Sequence, residues 1–554
     1  MTENLKRTMR DNPAMRWFAL VLLALAMFCA YIFMDILSPV KSLLETTDYL
    51  KWDSEAFGTY AGSETFLNVF IFFLIFAGII LDKMGVRFTA LLSGGVMIIG
   101  AAINWYAVTE MFQGSGLDRW FTNNLNYIPG FDELGVSPFY RGMPASAKFS
   151  AVGFMVFGCG VEMAGITVSR GIVKWFRGKE MALAMGSEMA LARLGVATCM
   201  IFSPLIARAD ILGGANVSHS VAFGVILLMI ALLMFLVYFF MDKKLDAQTG
   251  EAEEKDDPFK ISDLGKILSS WGFWLVALLC VLYYSAIFPF QKYAVNMLEC
   301  NLPFPDQAPE TISLLGMSFA ASTVGIISYV LMLIVAATSF ISNFQKKNIK
   351  ITLLVTSVIF LIIYCVVATK RASAEAIFAV FPLLAVGITP ILGNFIDKKG
   401  KAASMLMLGS ILLILCHLTF AFILPLFKGQ EMGGVILAFA TILVLGASFS
   451  LVPASLWPSV PKLVDNKVIG SAYALIFWIQ NIGLWLFPLL IGKILKASNS
   501  DLAQEVEKGT LSAKDAAIMY DYTNPLLMLA LLGVAALVLG IVLKAWDKKK
   551  KLGL

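Results

Sequence analysis

Long apolar stretches recur along this chain, separated by short runs rich in Lys, Arg, Asp, Gly and Pro. Windows of about 20 apolar residues, enough to span a bilayer core as a helix, fall near 17–38, 58–81, 88–108, 148–173, 180–206 and 217–241. A polar segment follows, holding Lys243, Lys244, Glu251, Glu253, Glu254, Lys255, Asp256 and Asp257, and it is too charged to enter lipid. Further windows fall near 271–297, 315–342, 350–369, 374–395, 402–426, 432–457, 468–492 and 524–546. The pattern predicts an all-α membrane protein with about 14 transmembrane helices, six before the polar segment and eight after it. It divides the chain into an N-terminal six-helix bundle at 1–241, a cytoplasmic linker at 242–268 and a C-terminal bundle at 269–554. If every window crosses, Lys83/Arg87, Lys174/Arg177/Lys179, Lys243/Lys244, Lys346/Lys347, Lys398/Lys401 and Lys548 to Lys551 share one side. The excess of bases makes that side the cytoplasm, with both termini in it.

Composition narrows the class. Hydrophobic residues make up 59% and charged residues 15%, and the mean hydropathy is +0.80; soluble chains carry about 25% charged residues. The net charge of +5 is spread over short loops and termini, so no nucleic-acid partner is expected. Six of the seven Cys lie in apolar windows and only Cys300 does not, which excludes a disulfide framework and offers no metal-ligand spacing. The first window, preceded by Lys6, Arg7, Arg10 and Arg16, has no small-residue cleavage site and reads as a retained helix. No enzyme is expected: a Gly-rich phosphate loop is missing, and His219 and His417 are too far apart for a metal or a triad. His417 reads as a core histidine. The expected partners are a small-molecule substrate and the lipid bilayer, with no cofactor and no metal, and the protein is expected to be a monomer.

Two charged signatures stand at corresponding places in the two halves. Gly78-Ile-Ile-Leu-Asp82-Lys83-Met-Gly85-Val-Arg87 and Gly393-Asn-Phe-Ile-Asp397-Lys398-Lys-Gly400-Lys401 lie about 315 residues apart, each after an apolar window. Gly permits a tight hairpin, and the acid can accept from free backbone N–H groups at a helix start. The repetition points to a duplicated bundle. The pattern resembles the loops between helices 2 and 3 and between helices 8 and 9 of the major facilitator superfamily. That resemblance implies two six-helix bundles rocking about a midplane site, with these signature residues latching the cytoplasmic side while the outer side is open. Against that plan the second signature arrives two windows late. Residues 310–372 therefore read as an inserted helical hairpin, lipid-facing and without a part in the chemistry. The outer excursions at 109–147 and 493–523 read as surface segments.

A charge at the centre of a membrane helix costs at least about 2.5–3.5 kcal/mol, so the few present are functional candidates. Glu162 lies about 14 residues into its window and Arg193 about 13 into the next, roughly 20 Å from opposite ends, and antiparallel helices bring both to the midplane. An acid and a guanidinium at one depth suit a short zwitterion, whose ammonium meets Glu162 and whose carboxylate meets Arg193. A structural ion pair between the two is the competing reading. Glu188 and Asp35 are possible proton or gate residues, Glu64 is a weaker case of the same kind, and Arg170 is close enough to the cytoplasm to have no assigned role. The C-terminal bundle reads as offering aromatics and amides, not charges: Tyr284, Phe288 and Gln291 form one stripe, Tyr473, Phe477, Gln480 and Asn481 another. Trp457 is either a pocket wall or an interface anchor.

Several segments are more specific. Phe157-Gly-Cys-Gly-Val-Glu162, Trp175-Phe-Arg-Gly-Lys-Glu180, Ala192-Arg193-Leu-Gly195, Tyr283-Tyr284-Ser-Ala-Ile-Phe288-Pro289-Phe290, Ser455-Leu-Trp457-Pro458 and Ile479-Gln480-Asn481 resemble the lysosomal dipeptide transporter family within that superfamily and its bacterial relatives. The resemblance implies a substrate-binding set of Glu162, Arg193, Tyr284, Phe288, Trp457, Gln480 and Asn481, with the acid and the arginine holding the two ends of a dipeptide. Phe154 stands where the superfamily carries an arginine, and Glu188 where the relatives carry an amide, which opens the question of proton coupling. Met1–Arg16 contains no acidic dileucine signal, so a bacterial inner membrane is expected over a lysosome. Two rival readings remain: a proton-coupled symporter of a small organic or inorganic anion, and a receptor that binds peptide without transporting it.

Overall fold

A computed structural model of the protein describes residues 8–177, 179–249, 261–302, 310–399, 401–428, 431–463 and 469–550. Gly400 and the side chain of Asp397 lie outside the described residues. Thirteen helices among the described residues are long and apolar enough to cross a membrane. In the first half these include α1 (Pro13–Met34), which opens on an Asn12 cap accepting from the Ala14 N–H with Pro13 as first helical residue.

The second crossing is broken. It runs as α2 (Ser54–Ser63), α3 (Phe66–Phe70) and the start of α4 (Phe73–Ala107). The helix α4 turns at Gly85, whose φ of 79° and ψ of 168° suit a residue without Cβ. Residues 73–84 span only about 18 Å at 1.5 Å per residue, too short for a bilayer core, so α2 and α3 complete that crossing. Beyond Gly85, α4 makes the third. This division accounts for the difference between thirteen long helices and about 14 crossings. Gly78 was expected to serve the turn; it lies within α4 with open space around it.

The first half continues with α5 (Ala145–Phe176), α6 (Met181–Ala207) and α7 (Val217–Thr249). The last runs past Asp242, where the polar linker was expected to begin, because Asp242 is fully buried: Lys174 Nζ lies 2.7 Å from it and Trp175 Nε1 donates to it at 2.9 Å. On the cytoplasmic surface Lys179 pairs with Asp11 at 2.8 Å, and hydrogen bonds from Lys179 and Thr8 hold the Asp11 carboxyl well below the usual carboxylate range.

The second half holds α8 (Trp271–Asn301), a short antiparallel pair of β1 (Thr311–Leu314) with β2 (Met317–Ala320), then α9 (Ala321–Ser342) and α10 (Lys347–Arg371). It continues with α11 (Ala374–Phe378), α12 (Val380–Lys399), α13 (Ala402–Leu418), α14 (Glu431–Leu456), α15 (Ile469–Ser498) and α16 (Thr523–Lys550). The extra hairpin α9–α10 is only partly lipid-facing. Ile351, Val355, Ile359 and Ile362 of α10 are exposed. On α9, Tyr329 packs edge-on against Phe202 of α6 at 4.7 Å, and Gly325 seats the Leu205 side chain.

The seam between the halves is tight on the outer side. Gly58 and Gly62 of α2 and Gly492 of α15 admit backbone carbonyl oxygens of Pro488, Trp485 and Ser54 into space a Cβ would fill. Polar ties cross at the same level. Tyr293 donates to the Ser54 carbonyl at 3.3 Å, and Arg208 pairs with Glu375 at 2.9 Å. On the cytoplasmic side a Cβ at Gly78, Gly165, Gly186 or Gly393 would meet nothing. The bundles are therefore closed outside and parted inside.

Candidate functional site

Glu162 stands 14 positions before the cytoplasmic end of α5, and Arg193 stands 12 after the cytoplasmic start of α6. At 1.5 Å per residue these are depths of about 21 and 18 Å. Tyr284 on α8 and Asn481 on α15 lie at about the same level, 13 and 12 positions from their helix starts. The sequence expectation of a common midplane level thus brings groups from both bundles to one layer.

Glu162 and Arg193 make no ion pair with each other, nor with any other charged group, among the described residues. Asn481 reaches across the seam and its Nδ2 donates to Glu162 Oε1 at 3.3 Å. The Arg193 guanidinium lies between rings: 4.9 Å from the Phe288 centroid, 5.0 Å from Phe449 and 5.8 Å from Tyr31. Each such contact contributes about 0.5–2 kcal/mol, which holds the cation in place and leaves its N–H fork without an acceptor among the described residues. A carboxylate with spare lone pairs and a guanidinium with spare donors are what a ligand with two charged ends requires.

The aromatics form a continuous wall. Trp457 Nε1 donates to the Tyr284 hydroxyl at 3.1 Å, Tyr284 packs on Phe288 at 5.4 Å, and Trp457 stacks on Phe477 at 5.0 Å. Trp457 packs among Tyr284, Tyr473 and Phe477. Gln480 accepts from the Cys280 thiol at 3.2 Å and is buried, so it backs the wall. Glu188, half-buried, has no hydrogen-bond or ion-pair partner among the described residues. His417 is fully buried, its Nε2 3.1 Å from the Ala286 carbonyl oxygen.

Three features depart from the sequence expectation. The C-terminal bundle does supply a buried cation: Lys292 of α8 lies 2.8 Å from Asp35 and 3.9 Å from Glu64. Arg170 has a role after all, pairing with Asp82 of the first signature. Arg87 of that signature binds Asp246 at 2.6 Å, so in this conformation these two signature charges are tied within their own bundle and not across the seam. Tyr31 and Phe449, which sequence reasoning missed, flank Arg193; single aromatics in apolar windows give no contrast by which to find them. Lys292 was overlooked because it lies near the outer end of a long window, where snorkelling is the ordinary explanation.

Comparison with known proteins gives a consistent picture. The family model of the Major Facilitator Superfamily matches residues 23–373. The lysosomal dipeptide transporter MFSD1 of Danio rerio is 25% identical over 350 residues, which is 62% of this chain and 59% of that relative. The same transporter of Homo sapiens is 23% identical over 349 residues, 62% of this chain and 58% of the relative. The chain thus aligns with about three-fifths of the length of these relatives. Among solved structures, the nucleoside transporter NupG superposes with a TM-score of 0.57 at 13% identity, covering 95% of this chain and 98% of that one. A bacterial homologue of the human lysosomal transporter Spinster gives 0.55 at 12% identity, covering 95% and 96%. At these identities the likeness is one of fold.

Proposed function

This chain belongs to the Major Facilitator Superfamily, a family of multi-pass membrane transporters, and from that premise we propose that it carries dipeptides by alternating access. The proposed substrate-binding set is Glu162 for the ammonium, Arg193 for the carboxylate, and Tyr284, Phe288, Trp457, Gln480 and Asn481 for the enclosing wall. One observation carries the reading: Glu162 and Arg193 lie at one level, unpaired with each other, with Asn481 and three rings keeping them apart. A closed structural ion pair would leave nothing for a ligand. The names of the relatives support a peptide cargo. Transport of a simple anion would use Arg193 and leave the hydrogen bond from Asn481 to Glu162 without a purpose.

In this reading substrate enters between the bundles, bridges Glu162 and Arg193, and replaces their lost hydration as the outer side closes. Glu188 and Asp35 are proposed as proton or gate residues, and the Asp82 and Asp397 signatures as cytoplasmic latches of the outward-open state. The membrane proposed is a bacterial inner membrane, in contrast to the lysosomal one of the named relatives; fractionation of the producing organism tests this.

Uptake of a labelled dipeptide into liposomes holding the purified protein tests the central reading. Wild type should accumulate label, while Glu162→Gln and Arg193→Ala should each lower uptake at least about tenfold, as expected for losing a charge-assisted contact of about 1.5–3 kcal/mol. Undiminished uptake by both variants would remove the clamp.

A further inference from the structure

The buried cation Lys292 is bound almost entirely by the opposite bundle. Its Nζ lies 2.8 Å from Asp35 Oδ1 and 3.9 Å from Glu64 Oε2, and it donates to the Met34 carbonyl at 2.7 Å. Its neighbour Gln291 donates to the second Asp35 oxygen at 2.7 Å. Asp35 is 1% exposed and Lys292 8%. Asp35 and Glu64 belong to the N-terminal bundle and ride on α1 and at the end of α2, while Lys292 and Gln291 ride on α8. Among the described residues, the other titratable groups that face the cluster are Tyr31 on α1, Tyr60 on α2, Glu162 on α5 and Cys199 on α6, and the Phe154 ring lies 5.7 Å from Nζ.

We propose that Asp35 and Glu64 form the coupling-proton site of this transporter, and that Lys292 is the built-in cation that empties it each time the outer side closes. The inference rests on the transporter reading and on no particular substrate. When the outer side opens, α8 moves away from α1 and takes Lys292 with it. Two carboxylates that shared one ammonium nitrogen are then left side by side against an apolar bundle, an arrangement that favours one of them as the neutral acid. That carboxylate takes a proton from the outer solution. On closure the ammonium returns, the ion pair with Asp35 re-forms, and the proton leaves into the water of the side that is now open, the cytoplasmic one. One proton enters per cycle, no covalent bond to carbon changes, and Lys292 keeps its charge throughout.

Placing the site on the seam explains its position. An acid that served only to hold α1 in its own bundle would pair within that bundle, as Asp242 does with Lys174. Asp35 accepts from Ser38 of its own bundle at 3.2 Å, but its countercharge Lys292 and its amide donor Gln291 both come from the other half.

The test uses the purified full chain in liposomes without substrate. Lys51→Cys and Ser500→Cys, exposed positions on the outer side of the two bundles, carry nitroxide labels, and pulsed electron paramagnetic resonance reads the distance between them against pH. With Lys292 present the long-distance population should rise as pH falls, by up to about tenfold per unit for one linked proton. Lys292→Arg should keep that slope. Lys292→Gln should flatten it, because the carboxylates then bind the proton equally in both states. Should Lys292→Gln fail to fold, the neutral pair Asp35→Asn with Lys292→Gln is read in its place, with the same flat profile expected. A parent protein whose distances ignore pH, or a Lys292→Gln profile with the parent slope, would overturn the proposal. Since no peptide enters this measurement, it can fail while the dipeptide reading stands, and the reverse.

Discussion

Arg193 is held in the membrane by aromatic surfaces and makes no ion pair among the described residues. Rings from both bundles sandwich it, Tyr31 from α1 and Phe288 and Phe449 from α8 and α14. Removing one ring with Phe449→Ala should weaken substrate binding by about 0.5–2 kcal/mol, a factor of about 2 to 30 in apparent affinity, with little change in folded yield. Uptake measured over a range of substrate concentrations checks this, and a change in maximal rate alone would speak against a binding role. Trp457 allows a finer test. Trp457→Phe keeps the stack on Phe477 and loses the hydrogen bond to Tyr284. It should cost about 0.5–1.5 kcal/mol, less than Trp457→Ala, which loses both. The charged members of the proposed site stand out in the sequence because a charge inside an apolar window has few ordinary explanations. Its aromatic members were not, since Tyr31 and Phe449 look like every other apolar residue around them until the helices are packed.

At the scale of the element, glycine decides where helices bend and where they touch. Gly85 carries the whole turn of the first signature, at a φ of 79°. Gly85→Ala should destabilise the protein by about 1 kcal/mol or more, seen as a lower midpoint of thermal unfolding in detergent. Gly78→Ala, in open space within α4, should leave the midpoint unchanged. Gly62 has the opposite environment, since any Cβ there would meet the Trp485 carbonyl. Gly62→Val should therefore hinder closure of the outer side and lower the rate of transport without preventing insertion. Helix number and order could be read from the apolar windows, since hydrophobic length is a strong signal. The breaks after Ser63 and Phe70 could not, because α2, α3 and the start of α4 fall within one apolar window whose few polar residues, Ser63-Glu64-Thr65 and Asn68, do not specify a bend, and only packing against α15 reveals where the backbone turns.

Across the whole molecule, the two halves form one asymmetric seam. Outside the midplane, close glycine contacts and cross-bundle ties such as Lys41 Nζ to Asn296 at 3.0 Å and Lys496 to Glu55 at 2.9 Å hold the halves together. Toward the cytoplasm the first-signature charges Asp82 and Arg87 turn back into their own bundle. The duplicated signatures announced two halves, and the resemblance to a transporter superfamily agreed with them. Which side is closed was beyond the sequence, because the charges that could latch either side are present in both states and only their partners change.

The most direct test of the account is a competition series on the reconstituted protein, with one labelled dipeptide and three unlabelled competitors: the free dipeptide, its N-acetyl form and its C-terminal amide. The free dipeptide should compete well, and blocking either end should weaken competition at least about tenfold, the loss of one charge-assisted contact at Glu162 or at Arg193. Equal competition by all three would contradict the two-ended clamp and leave the unpaired Glu162 and Arg193 without the role assigned to them.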